Sequence, residues 1–315
     1  MKQRVLTGLA MAFVVVVMFL TKIIIETPII FDIFLVLIAL VGAYEYSKIL
    51  SKSGRNNHMY LIMAFPVLAY GLLMLAILLG WSAIITIVSL ISLIAILTIT
   101  SVVITLISVA STENEMRLYK IRTSKLSYAF QKAMNGILGY IYPSVLILLL
   151  VPVNHLADLS SVFGTLSNAN LASIIFLAMC FLIPCICDTF AYFMGGLIGG
   201  KKLAPTISPK KTISGAVGGV VWTALLMIVL FLIFSSIPEF SAIFMELGLE
   251  WWAIGILAVI GAIVCIVGDL FESFMKRKAD VKDSGEIFPG HGGMLDRIDG
   301  FLFITPIILV LLFIL

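Results

Sequence analysis

Charge is scarce in this chain. Of its 315 residues only 12% are Asp, Glu, Lys or Arg, three are histidine and four are cysteine, while 62% are hydrophobic. A water-soluble domain cannot cover its surface with so few charges, and a mean hydropathy of +1.19 excludes that class. Cys180, Cys185, Cys187 and Cys265 all fall in apolar stretches without a CxxC pair, which leaves no zinc set or disulfide framework. The net charge is +3, and no basic stripe is interleaved with aromatics, so no nucleic-acid partner is expected. Alternating apolar and polar residues are also missing, which excludes a transmembrane barrel.

What is present is a series of apolar runs long enough to span a bilayer. Nine occur, near residues 5–22, 28–47, 59–80, 82–109, 130–153, 171–198, 214–236, 251–275 and 299–315. They predict an all-α polytopic membrane protein. Lys2 and Arg4 ahead of the first run would suit a signal peptide, but no small-residue cleavage site follows, so the run reads as an uncleaved helix. Basic residues alternate between connections: eighteen, Arg55 and Lys120 among them, share a side with the N-terminus, against Lys22 alone opposite. That pattern predicts a cytoplasmic N-terminus. Residues 1–110 read as scaffold or lipid-entry helices. Residues 111–315 read as the catalytic region, with cytoplasmic loops at 199–213 and 276–298.

Five acids interrupt the apolar runs: Asp32, Glu45, Asp188, Asp269 and Glu272. A lone carboxylate in hydrocarbon is costly, so each needs water, protein, metal or a basic partner. Asp32 and Glu45, near helix ends, are expected to be solvated at the interface. Asp188 and Asp269 each open a polar motif and are expected to be functional. His58 and His155 read as ordinary loop residues.

Between Ser273 and Asp299 the scarce charge is concentrated: five basic and five acidic side chains stand within 27 positions. Asp269, Glu272, Ser273 and Lys276 follow i, i+3, i+4, i+7 spacing and share one helix face. There Asp269 would hold a hard cation and Lys276 would meet a phosphate; a helix-end Glu272–Lys276 salt bridge is the simpler alternative. Asp296 and Asp299 lie three apart at the start of the last helix, where carboxylates also serve as plain caps. Magnesium takes a few carboxylates plus substrate phosphates, which Asp269, Asp296 and Asp299 could supply. Arg297 offers a planar donor fork to a phosphate. In Pro289-Gly290-His291-Gly292-Gly293, glycines on both sides of His291 let the backbone approach a ligand.

A second polar stretch runs from Asp188 to Gly219. Gly195, Gly196, Gly199 and Gly200 have small-xxx-small spacing, most simply read as close helix packing. Lys210, Lys211 and Thr212 suggest a phosphate-cradling turn, without the order of a Walker P-loop.

These residues resemble a known family. Ser273, Met275-Lys276-Arg277, Lys282-Asp283, Gly285, Phe288-Pro289, His291-Gly292-Gly293-Met294 and Asp296-Arg297-Ile298-Asp299 are similar to the signature of phosphatidate cytidylyltransferases. Ser208-Pro209-Lys210-Lys211-Thr212 resembles a second motif of that family. Two positions depart from its pattern: Ser214 replaces a glutamate, and Gly196 stands where a basic residue is common. The resemblance implies transfer of CMP from CTP to phosphatidate, giving CDP-diacylglycerol and pyrophosphate at the cytoplasmic interface. It implies a multi-pass protein of the cell (inner) membrane if bacterial, a homodimer, and magnesium with or without a second cation. Asp269, Asp296 and Asp299 would bind metal. Of the catalytic residues, Lys276 and Arg297 would hold phosphates, and Asp283 and His291 would orient substrate. Asp188, Lys210, Lys211, Thr212, Ser273, Arg277, Lys282, Gly292 and Gly293 would bind substrate. Other CTP-using membrane enzymes, such as a polyprenol kinase or archaeal-type lipid cytidylyltransferase, are the nearest alternatives. A CDP-alcohol phosphotransferase lacks its Asp-Gly…Ala-Arg opening here. A cation carrier would need polar groups tracking across the membrane.

Overall fold

A computed structural model describes residues 2–53, 56–118, 122–163, 166–288, 290 and 292–314. Arg55, Lys120, Pro289 and His291 lie outside the described residues. Among the described residues nine helices are long and apolar enough to cross a membrane, which makes this an all-α polytopic membrane protein. We label them α1 (Lys2–Ile25), α2 (Ile29–Lys52), α3 (Met59–Leu78), α4 (Ala83–Ile107), α5 (Lys125–Gly139), α6 (Ala169–Ile198), α7 (Ile213–Phe234), α8 (Trp251–Lys278) and α9 (Leu295–Ile314). The fifth span continues beyond α5 through a π-turn at Tyr140–Val145 and ends at Asn154. Helices dominate because hydrocarbon offers no partner to a free N–H or C=O, and a helix satisfies both within one segment.

The chain divides into two compact units. The first comprises Met1–Leu9, Ile33–Leu148 and Met275–Asp296, and the second Ala10–Asp32, Leu149–Phe274 and Arg297–Leu315. The boundary near residue 110 read from the sequence falls inside the first. In that unit Phe65 stacks on Tyr140 with centroids 5.1 Å apart, and Tyr46 meets Tyr142 edge-on at 5.2 Å. Such offset or edge arrangements add to the apolar burial of the rings.

In the second unit Phe181 joins Phe19 and Phe301, while α6 and α7 pack against each other. Gly215 sets that approach: a Cβ there would lie 2.6 Å from the Ala191 carbonyl and 3.2 Å from Gly195 Cα. Helix pairs in membranes rely on such close backbone packing. Of the four glycines read as a packing stripe, Gly195 packs, whereas Gly199 (φ +66°) and Gly200 (φ +102°) end α6 and turn the chain. A β-hairpin follows, β1 (Lys202–Ala204) antiparallel to β2 (Ser208–Thr212). The expected phosphate turn is thus a strand that runs into the Thr212 cap of α7.

Two expectations are corrected in the second unit: Asp32 is buried rather than solvated, and His155 is no ordinary loop residue. Asp32 accepts from Asn154 Nδ2 at 2.8 Å and faces His155 Nε2 at 2.7 Å. The other ring nitrogen, Nδ1, faces Asp158 at 2.7 Å. Lys22 donates to Asn154 Oδ1 at 2.6 Å. Burial pulls the His155 pKa down, but Asp32 and Asp158 more than offset this and raise it above the ordinary histidine value. A raised folded-state value stabilises the protein fully below about pH 6.5, and the contribution is lost as pH rises through the folded value. We therefore expect the stability measured by melting in detergent to fall on raising the pH from about 6 to 9. A His155→Phe variant should lose that slope. An identical slope in the variant would place the pH dependence elsewhere.

His58, in the first unit, is likewise buried; its Nε2 lies 2.9 Å from Thr105 Oγ1. Burial first, then Lys132, push its pKa down to about 4, with Glu115 opposing.

Candidate functional site

The second unit brings Asp188, Lys211, Asp269 and Asp299 together. β2 delivers Lys211, α6 delivers Asp188, α8 delivers Asp269 and α9 delivers Asp299. Lys211 Nζ pairs with the Asp269 carboxylate, whose other oxygen accepts from Ser273 Oγ at 3.3 Å. Burial lowers the Lys211 pKa, yet Asp269, Asp188 and Asp299 together outweigh it and hold the ammonium above its ordinary value. Lys211 therefore stays protonated at physiological pH. It can neutralise a phosphate but cannot serve as a base.

Around this group lies a cavity of about 680 Å³. Lys202, Lys210 and Lys211 from the hairpin and Asp188 and Asp269 from the helices supply its charge; Tyr192 and Phe193 give it an aromatic flank. Thr212, also in its wall, caps α7 by accepting from Gly215 N at 3.1 Å. Ser214, at a position atypical of the family the chain resembles, donates to the Gly199 carbonyl and ties the hairpin base to the end of α6. Lys202 was missed in the sequence because it lies in an unremarkable lysine pair; hairpin pairing opposite Thr212 places it here.

The first unit holds the other expected residues except Arg297, which belongs to the second. Lys276 Nζ lies 2.5 Å from Asp296 Oδ1, both largely buried, so Lys276 pairs with Asp296. Asp296 Oδ2 accepts from Ser284 N at 2.8 Å, Ser284 Oγ at 2.9 Å and Gly293 N at 2.8 Å. Four donor contacts thus reach this carboxylate, one at Oδ1 and three at Oδ2. Gly292 (φ +85°) lies against this carboxylate: a Cβ there would enter it and would come 3.4 Å from Asp283 Cβ. Arg277, Lys282, Asp283 and Arg297 are exposed. His291 falls outside the described residues.

Among the described residues no group of three or more His, Cys, Asp or Glu side chains could hold a metal ion unaided. Magnesium does not require one, since it is bound by one or two carboxylates plus substrate phosphates and water. Asp269 and Asp299, hard oxygen donors beside a lysine-lined cavity, fit that description.

The sequence profile described as the cytidylyltransferase family matches residues 2–315. A phosphatidate cytidylyltransferase of Staphylococcus saprophyticus is 39% identical over 137 residues, 44% of this chain and 48% of that protein. One from Staphylococcus haemolyticus is 41% identical over 132 residues, 42% of this chain and 46% of the relative. One from Staphylococcus aureus is 39% identical over 132 residues, again 42% and 46%. The chain thus spans about half the length of the curated relatives it matches. With the profile extending over nearly every residue, the chain belongs to the cytidylyltransferase family.

Proposed function

We propose that this protein is a phosphatidate cytidylyltransferase, transferring CMP from CTP to phosphatidate to give CDP-diacylglycerol and pyrophosphate. The observation that carries the proposal is the lysine-lined cavity with Asp188 and Asp269 in its wall, formed at the ends of membrane helices. A soluble polyphosphate and a lipid headgroup can meet in such a place. The names of the relatives point to the same reaction.

In the reaction an oxygen of the lipid phosphate bonds to the α-phosphorus of CTP. The bond from that phosphorus to the β-phosphate oxygen breaks, and pyrophosphate leaves with the electron pair. The attacking phosphate is already anionic, so no strong base is needed. Positioning and charge neutralisation dominate such transfers. Lys202, Lys210 and Lys211 would hold the triphosphate and offset charge on the leaving group. Magnesium, when bound, would be held by Asp269 and Asp299 and would neutralise developing phosphoryl charge. Asp296 would take up a cation only by releasing Lys276. Lys276, Arg277, Lys282, Asp283, His291, Gly292 and Gly293 remain candidates for substrate contact. The alternation of basic residues supports a cytoplasmic N-terminus and a site facing the cytoplasm of a bacterial cell membrane. The assembly is proposed as a homodimer.

The test is turnover by purified protein in detergent with labelled CTP, phosphatidate and magnesium. A chloroform-soluble cytidine lipid and one equivalent of pyrophosphate are expected. Product only with another acceptor lipid would replace the substrate, and no product with any acceptor would overturn the reading.

A further inference from the structure

The sequence suggests solvation for Glu45, but its side chain is buried at 1% exposure. Among the described residues its partners all lie far along the chain. Glu45 Oε1 accepts from Met294 N at 3.0 Å, and Oε2 accepts from Leu295 N at 2.9 Å and Ser284 Oγ at 3.0 Å. Leu295 opens α9, whose first N–H groups have no acceptor within the helix. Glu45 supplies that acceptor from α2, with its negative charge at the favourable end of the helix dipole.

The glycines of the signature loop fit around this carboxylate. A Cβ built on Gly285 or on Gly293 would run into the Glu45 side chain. Ser284 Oγ lies within hydrogen-bond distance of both Glu45 and Asp296, and Asp296 N donates back to it at 3.3 Å. One hydroxyl proton can satisfy only one carboxylate at a time. Gly293 N and Ser284 N therefore hold Asp296 while Met294 N and Leu295 N hold Glu45. α2 in turn is seated by Gly42, where a Cβ would lie 2.8 Å from Pro143 Cγ and 3.3 Å from Leu295 Cδ2.

We infer that Glu45 is a positioning residue for the signature loop, orienting Ser284, Gly293 and Asp296 through the start of α9. It gives the N-terminal helices a defined task in the transfer reaction. The inference rests on the proposed reaction for its kinetic consequence but not for its structural one.

The experiment uses full-length protein purified in detergent, wild type against Glu45→Gln, with Lys48→Gln, an exposed neighbour on α2, as control. Glutamine keeps the shape but replaces one accepting oxygen with a donor. Two readouts are taken: trypsin cleavage after Lys278, at the end of α8, and after Lys282 in the loop, both exposed, and steady-state kinetics. We expect cleavage about tenfold faster, and kcat lowered roughly 10–100-fold as for other supporting residues. KM for CTP should move less than about threefold, because the lysine-lined cavity contains none of these loop residues. A folded Glu45→Gln protein with wild-type cleavage and wild-type kcat would overturn the inference. If that variant fails to fold, Ser284→Ala removes the bridge from the loop side and should show the same pattern; wild-type behaviour there overturns it equally. Should wild type lack cytidylyltransferase activity, the reaction is wrong, and the cleavage rates still decide the role of Glu45.

Discussion

Asp269→Asn should abolish nearly all turnover, by roughly 10³-fold, while leaving the protein folded. The size follows from the role: electrostatic groups aimed at a reacting centre are commonly worth about 10²–10³-fold each. Asparagine is nearly isosteric, and Lys211 would still face Asp188 and Asp299, so its charge is not left uncompensated. The fold should survive because the Lys211–Asp269 pair is only partly buried, at 28% and 21% side-chain exposure. Purified Asp269→Asn protein is assayed for cytidine-lipid formation over a range of magnesium concentrations, with melting as the folding control. Loss of turnover with unchanged melting, and a higher magnesium requirement for any residual rate, is the expected pattern. Wild-type turnover would remove Asp269 from the chemistry. An unfolded variant would make it a structural acid instead.

Lys276→Met should be the most damaging change to the loop. It leaves the Asp296 carboxylate, with 6% side-chain exposure, without the cation 2.5 Å away. Removing one partner of a buried pair typically costs about 3–5 kcal/mol, more than the pair itself contributes. Part of that should be recovered here, because Ser284 and Gly293 still donate to Asp296. A double-mutant cycle separates these terms. Lys276→Met, Asp296→Asn and the double variant are compared by denaturation in detergent, and a coupling of about 2 kcal/mol or more is expected. Additive effects would show that the two charges do not depend on each other. Turnover should fall with stability in Lys276→Met, because Asp296 anchors the backbone at Gly293.

Legibility in the sequence followed the range of each interaction. The spans were readable because the length of an apolar run reports bilayer thickness directly. The last helix begins at Leu295, beside the Asp296 that the sequence places at its start and ahead of its apolar run, and Glu45 accepts the Leu295 N–H that would otherwise lack a partner there. The hairpin was not readable: strands of three and five residues carry too little pattern, and two glycines with positive φ decide where α6 stops. Grouping Lys211 with Asp269 joins residues 58 apart, so spacing could nominate each but not pair them. Asp32 and Glu45 were misjudged for the same reason. Their partners lie more than 120 and more than 230 positions away, and an intramembrane acid signals only that some partner must exist.

By itself the sequence determined that this chain is helical and spans a membrane, and which segments concentrate its scarce charge. Both follow from local composition acting over one helix length. Only the tertiary structure decided that Lys211 faces three carboxylates, that Lys276 pairs with Asp296, and that Glu45 caps the final helix. A buried charge accepts whichever partner packing brings within about 3 Å, and packing joins helices that the sequence keeps far apart.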